Sequence, residues 1–244
     1  YELTMIEAAM ASGTANRKSV FEVFARRLPE GRRYGLLAGT GRFLEGLENF
    51  RFTTEDLDYL SDNKVVGDAM LNWLADFRFS GNITGYAEGE IYFPNSPIMQ
   101  VEATFAEAVI LETYLLSVLN YDTAVASAAS RMIAVAGGRP CIEMGSRRAN
   151  EESAIAAARA AAIAGFASTS NLEAGRRYGL TTAGTAAHSF TLLHDSEREA
   201  FKAQIDSMGV DTTLLVDTYD VEQAVRTAVE VAGPQLGGVR LDSG

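Results

Sequence analysis

His188 is one of only two histidines in the 244-residue chain and stands in Gly184-Thr185-Ala186-Ala187-His188-Ser189. A neutral imidazole can take up a proton or a phosphoryl group near pH 7. The small residues before it would let backbone approach a ligand closely; the alternative is a hydrogen-bonded structural histidine. His194 reads as a loop or helix-start residue. Arg147 and Arg148 follow the apolar run Cys141-Ile142-Glu143-Met144. A guanidinium fork binds phosphate or carboxylate bidentately, so the pair points to an anionic ligand, or else to ion pairs with Glu151 and Glu152. Asp217 and Asp220 flank Thr218-Tyr219, and Asp242 precedes Ser243-Gly244. Such carboxylates hold hydroxyls or Mg2+, or cap the next helix. Ser168-Thr169-Ser170-Asn171 offers hydroxyls and an amide, or a cap for a helix from Leu172. Arg26-Arg27 and Arg32-Arg33 read as solvated surface pairs, and Cys141 as a core residue of a strand. The sequence has no Walker A loop, GxGxxG fingerprint or metal-ligand Cys/His spacing.

These residues need elements to carry them. From about Pro140 apolar runs alternate with helical segments, and each run ends in a small or charged cluster. The runs Cys141–Met144, Gly165–Ala167, Leu180–Ala183, Thr213–Val216 and Val239–Leu241 predict strands. Helices are predicted at 155–163, 197–208 and 221–231. Strand–helix alternation implies a parallel sheet with right-handed crossovers, whose functional residues gather at the C-terminal strand ends. The first part reads as mixed α and β. Helices are predicted over 4–12, 39–50 and 54–60, the last behind a Thr53 cap with acidic first-turn residues. Short antiparallel strands are predicted at 77–79, 90–93 and 98–101, between Gly and Pro turns, then one long helix from Ala106 to Ala136. The predicted fold is α/β: an N-terminal mixed α+β domain over 1–137, with its long connecting helix, followed by an irregular α/β barrel from 138 to 244. A barrel takes about 250 residues by itself. The repeats therefore predict only the first part of one, and a chain that is a segment of a longer enzyme.

Composition narrows the class. The chain has 21 Lys and Arg against 32 Asp and Glu, a net charge of −11. That argues against a nucleic-acid partner, which calls for a basic face. No apolar run reaches the roughly 18 residues of a membrane helix, and Glu112 interrupts the best stretch, 108–119. The single Cys141 cannot form an internal disulfide, which favours a reducing, cytoplasmic setting.

Several short motifs, in order, carry a resemblance. Tyr1-Glu2-Leu3-Thr4-Met5, Phe24-Ala25-Arg26-Arg27-Leu28-Pro29, Asp76-Phe77-Arg78-Phe79-Ser80-Gly81, Glu143-Met144-Gly145-Ser146-Arg147-Arg148-Ala149, Thr169-Ser170-Asn171, Gly184 to Ser189, Leu214 to Asp220 and Arg240 to Gly244 run the whole length. In this the chain resembles the nicotinate phosphoribosyltransferases, the type II phosphoribosyltransferase family. The resemblance implies formation of nicotinate mononucleotide and pyrophosphate from nicotinate and phosphoribosyl pyrophosphate in NAD salvage. It further implies coupled ATP hydrolysis, a need for Mg2+, and a homodimer whose active site combines one subunit's barrel with another's N-terminal region. By the same resemblance His188 is the histidine phosphorylated by ATP, with Asp242 beside it in catalysis and Ser189 among the substrate contacts. Arg147 binds phosphate of the ribosyl ligand, and Tyr1 reaches across the dimer to stack on the pyridine ring. Ser170 stands where nicotinamide-using relatives carry an Asp, which would repel a carboxylate. Met144 stands where the family often has a ring-sandwiching aromatic, and a thioether also packs on an aromatic face. Arg240, Asp242, Ser243 and Gly244 form the strand-end set that faces base and ribose. The implied metal ligands are unknown. Rival readings are a nicotinamide or quinolinate phosphoribosyltransferase, a catalytically dead relative with a binding role, and an unrelated barrel such as an aldolase. The last lacks a strand-end Lys after Pro140 for a Schiff base.

Overall fold

The computed structural model describes residues 1–243, so Gly244 lies outside the described residues. Contacts divide the chain into two units, Tyr1–Thr182 and the residues from Ala183 onward.

The first unit opens with α1 (Glu2–Ala11), β1 (Lys18–Val23), β2 (Gly35–Leu36), α2 (Thr40–Glu48), α3 (Thr54–Asp62) and α4 (Asp68–Ala75). It continues with β3 (Asn82–Gly85), β4 (Ile91–Tyr92), β5 (Met99–Thr104), α5 (Phe105–Val109) and α6 (Glu112–Ala136). It closes with β6 (Ile142–Glu143), a 3-10 turn (Ser146–Arg148), α7 (Glu151–Ile163), β7 (Ser168–Thr169) and α8 (Leu172–Tyr178). An antiparallel sheet in the order β1-β5-β3 pairs Lys18 with Thr104 and Val23 with Met99, while β2 pairs antiparallel with β4. Met99 and Val101 alternate inward on β5 and join Ile6, Phe43, Leu74 and Leu111 in one apolar core. Thr53 caps α3 in a reciprocal box with Asp56, and Thr104 caps α5 in the same way with Glu107, each satisfying donors the helix start leaves free.

The sequence pattern misplaces some elements. The run Phe77-Arg78-Phe79 is loop, and the strand begins at Asn82. Phe77 is buried because it stacks edge-on against Phe50 and Phe52, a packing role that alternation alone does not separate from pairing. The single long helix is two, because the Leu111 N–H bonds the Ala108 carbonyl, a tighter step that no Pro or Gly announces. Leu180–Ala183 provides only an isolated parallel bridge, Thr182 to Thr169. Cys141 flanks β6 half-buried rather than lying in the core.

One polar junction ties α2 to α7. Gly39 starts α2 with φ 102, a left-handed value that favours glycine. Its N–H donates to Glu88 Oε1 at 2.6 Å. Arg159 on α7 holds both oxygens of Glu88, at 2.8 and 2.7 Å. Burial raises the Glu88 carboxyl, but the Arg159 hydrogen bonds and charge with the Gly39 amide outweigh it and leave the group more acidic than usual. Arg42 makes an ion pair with Asp122, which is fully buried on α6; burial dominates there and pushes the Asp122 carboxyl up.

The second unit has α9 (His188–Leu192), α10 (Glu197–Met208), β8 (Thr213–Leu215), α11 (Val221–Ala232), a 3-10 turn (Gly233–Gln235) and β9 (Gly238–Arg240). Phe201, Leu214, Val216, Ala224 and Ala228 form its core. β6 pairs parallel with β7, and β8 pairs parallel with β9. The architecture is thus mixed α+β followed by parallel strand–helix repeats, an α/β barrel incomplete among the described residues.

The packing division falls at Thr182, whereas the sequence pattern changes near residue 138, since α7 packs on α6. Phe43 is completely buried beside Tyr114, with ring centroids 5.5 Å apart. Phe43→Ala is expected to cost about 3–5 kcal/mol, read as a lower urea midpoint of the first unit.

Candidate functional site

In the second unit the parallel pairing of β8 and β9 sets Leu215 opposite Arg240, and the Val216 N–H donates to the Arg240 carbonyl at 3.1 Å. The two strands therefore deliver Asp217 and the Asp242-Ser243 pair to one edge. Asp217 Oδ2 accepts the backbone N–H groups of Asp242 and Ser243, each at 2.6 Å, and the Ser243 hydroxyl at 2.8 Å. Its other oxygen lies 3.0 Å from His188 Nε2, where α9 begins. The Asp217 side chain is only 5% exposed. The Ser243 amide lowers its pKa most; burial works against this, and the Asp242 amide, the Ser243 hydroxyl and His188 lower it further. The carboxyl is held far below the usual range, so Asp217 is an anion at neutral pH.

An ionised carboxylate can only accept hydrogen bonds. His188 Nε2 therefore carries the hydrogen, and Nδ1 keeps its lone pair when the ring is neutral. Nδ1 lies 3.9 Å from Asp242 Oδ2, too far for a hydrogen bond. Arg240 donates to Thr185 and to the other oxygen of Asp242, fixing that carboxylate beside the ring. The arrangement leaves an imidazole nitrogen free to accept a proton or an electrophile, with one orienting carboxylate and a second able to stabilise positive charge.

The first unit carries a separate cluster at the ends of β6 and β7. Glu143 Oε2 accepts the Thr169 hydroxyl at 2.6 Å, and its Oε1 accepts the Gly145 N–H. The Glu143 carbonyl accepts the Ser170 N–H at 2.8 Å. Asn171 caps α8 through the Ala174 N–H, and its amide reaches the Ser146 hydroxyl at 3.1 Å. These bonds hold the turn that presents Arg147. Glu152 pairs with Arg177 at 3.0 Å rather than with Arg147 or Arg148. Among the described residues no carboxylate lies within ion-pair distance of either arginine.

The structure thus brings His188, Arg240, Asp242 and Ser243 together, and separately places Met144, Arg147 and Ser170 at neighbouring strand ends. Met144 is 41% exposed, and Arg147, Ser170 and Ser189 are exposed. Tyr1 is apart from both groups: its ring is 67% exposed, and its hydroxyl donates to Glu112 at 2.8 Å. Asp220 caps α11 through the Gln223 N–H. His194 bonds the Phe190 carbonyl at 2.8 Å, a structural role. Asp217 was among the candidate carboxylates, but its bond to His188 was not read from sequence; its signal is an Asp directly after the buried run Leu214–Val216. Thr185 is the other missed partner. No group of three or more His, Cys, Asp and Glu is placed to hold a metal ion among the described residues.

A family model described as the nicotinate phosphoribosyltransferase N-terminal domain matches residues 1–120. Nicotinate phosphoribosyltransferase pncB1 of Mycobacterium tuberculosis is 58% identical over 100% of this chain and 56% of its own length. The chain belongs to the nicotinate phosphoribosyltransferase family. The family's Bacillus subtilis member is 40% identical over 100% of this chain and 51% of its own length. The crystal structure of human nicotinic acid phosphoribosyltransferase superposes with a TM-score of 0.88 at 28% identity, covering 100% of this chain and 60% of that one. The chain spans just over half the length of these curated family members. No helix among the described residues is long and apolar enough to cross a membrane.

A carboxyl whose folded value is depressed adds stability above its ordinary value of 3.8, and that stability is lost as pH falls through the folded value. Asp217→Asn is therefore expected to lower the unfolding midpoint at pH 7, with the gap to the parent narrowing only as pH drops below about 4. Urea titrations at pH 7, 4 and 3 check this, and a gap that is constant across them would contradict it.

Proposed function

We propose that the protein containing this chain is a nicotinate phosphoribosyltransferase, joining nicotinate to the ribose of phosphoribosyl pyrophosphate with coupled ATP hydrolysis, in NAD salvage in the cytoplasm. The observation that carries the reading is the ionised Asp217 holding His188 in one tautomer. The family relatives support the substrates. In the coupling step the Nδ1 lone pair of His188 attacks the γ-phosphorus of ATP. An N–P bond forms, the P–O bond to ADP breaks, and ADP leaves with the electron pair. Asp217 keeps the proton at Nε2 and balances the charge on the phosphorylated ring. Water later takes the phosphoryl group and regenerates the imidazole.

In the transfer step the pyridine nitrogen of nicotinate is itself the nucleophile at ribose C1, and pyrophosphate departs with the electrons of the C–O bond. The protein has to position the reactants and stabilise charge. Arg147, with no carboxylate partner, is suited to a phosphate. Ser170 presents a hydroxyl where an Asp would repel the nicotinate carboxylate, which favours nicotinate over nicotinamide. Met144 is exposed enough to pack on the pyridine, and the exposed Tyr1 ring suits stacking across a homodimer. When bound, Mg2+ would supply charge neutralisation to pyrophosphate. The Asp217 oxygens are already taken by His188, Ser243 and the Asp242 amide, and one Asp242 oxygen by Arg240. These residues do not make a ready Mg2+ site, which fits a cation held mainly by phosphates.

The full-length enzyme tests the reading. Nicotinate mononucleotide formation is expected to rise with ATP, and His188→Ala is expected to abolish that rise and the acid-labile phosphoprotein while leaving slow ATP-independent turnover. Retention of full ATP stimulation by His188→Ala would overturn the coupling role. Ser170→Asp is expected to raise KM for nicotinate at least tenfold, about 1.4 kcal/mol, with little change in KM for phosphoribosyl pyrophosphate.

A further inference from the structure

Glu143 opens the motif Glu143-Met144-Gly145-Ser146-Arg147-Arg148-Ala149 but has no part in the chemistry above. Parallel pairing of β6 with β7 sets it opposite Thr169. The Glu143 carbonyl accepts the Ser170 N–H at 2.8 Å. Its carboxylate then spans two loops. Oε1 accepts the Gly145 N–H, at the start of the turn that carries Arg147, and Oε2 accepts the Thr169 hydroxyl at 2.6 Å, one residue before Ser170. Thr169 is only 1% exposed, and its oxygen in turn accepts the Asn171 N–H at 3.0 Å. A relay of hydrogen bonds thus runs from the Asn171 amide through the Thr169 hydroxyl and the Glu143 carboxylate to the Gly145 amide. Successive bonds in such a chain polarise and strengthen one another.

Gly145 is fitted to this relay. Its φ is −85, a value that any residue adopts, so the backbone does not call for glycine there. A Cβ at this position would stand 2.8 Å from Glu143 Oε1, closer than side-chain carbons come. The glycine therefore keeps the space that the carboxylate fills. A second tie joins the same two loops, from the Asn171 amide to the Ser146 hydroxyl at 3.1 Å. None of these bonds uses the Arg147 guanidinium or the Ser170 hydroxyl. The ties fix the backbone under each residue and leave both side chains for ligands.

We propose that Glu143 is a positioning residue that sets two ligand sites in register with each other. One is the Arg147 turn, which meets phosphate of the ribosyl substrate; the other is Ser170, which faces the nicotinate carboxylate. The inference rests on the substrate reading given above. Because a single carboxylate holds both loops, displacing it shifts both sites together, and small misplacements of bound reactants are costly. Glutamine at 143 keeps both ties: its amide oxygen accepts the Gly145 N–H, and its NH2 donates to the second lone pair of the Thr169 oxygen. Alanine keeps neither and leaves the buried Thr169 hydroxyl without its acceptor.

Steady-state kinetics of the full-length enzyme, varying nicotinate and phosphoribosyl pyrophosphate in turn, test this. Glu143→Ala is expected to raise KM for both substrates by about fivefold or more. Glu143→Gln is expected to stay within about twofold of the parent for both. A role in folding alone would lower the active fraction, and with it kcat, while leaving both KM values in place. Gly145→Ala, which displaces the carboxylate without removing it, is expected to raise both KM values too, and it carries the test if Glu143→Ala fails to fold by circular dichroism. The proposal falls if only one KM moves, if neither moves, or if Glu143→Gln loses as much as Glu143→Ala. A parent enzyme that forms no nicotinate mononucleotide overturns the substrate reading and this inference with it; an active parent with unmoved variants overturns this inference alone.

Discussion

The second unit depends on one buried carboxylate. Asp217 gathers two backbone amides, a hydroxyl and an imidazole around two oxygens. The amides belong to the residues just after β9, so this bond set also shapes the loop that follows the strand. A single group thus joins strand pairing to the tautomer of His188. Hydrogen bonds to a charged acceptor are the stronger kind, and the low exposure of Asp217 reduces the screening they would meet in water. The geometry is paid for in burial of charge, and the donors that offset this cost are the ones that place Asp242 and Ser243.

The first unit solves a different problem. Its strand-end cluster has no buried anion holding a nucleophile. Instead Glu143 pins its own loop, through the Gly145 amide and the Thr169 hydroxyl, and leaves Arg147 uncommitted. A guanidinium without a partner in an acidic chain is an electrostatic vacancy, and a phosphate is the ligand that suits it.

Much of this was legible in sequence. The periodicity of 197–208 and 221–231 placed α10 and α11 almost to the residue, because both are amphipathic and begin at side-chain caps, Ser196 and Asp220. The Thr53 cap was legible for the same local reason. Strand ends were less so: β6, β7 and β9 are two or three residues long, too short for alternation to register. α4 went unread because Asp68–Ala75 follows a glycine without a side-chain cap. The candidate residues His188, Asp242, Ser243 and Arg240 stood out by type, but the bond from Asp217 to His188 spans 29 positions and depends on β8 and β9 pairing. Only the fold could supply that contact.

The cap of α2 bears on how the first unit assembles. The Gly39 amide meets its acceptor 49 positions along the chain, and that acceptor is steadied by an arginine 71 positions further on. A helix capped by its own neighbours can form early; this one is completed only after β4 and α7 have arrived. Such long-range closure slows folding and binds distant segments into one cooperative step. Growing from its N-terminus, the chain would hold the Glu88 carboxylate that caps α2 without its steadying guanidinium until Arg159 had been made. The change of residue pattern near 138 therefore lies inside a closure that runs from Gly39 to Arg159.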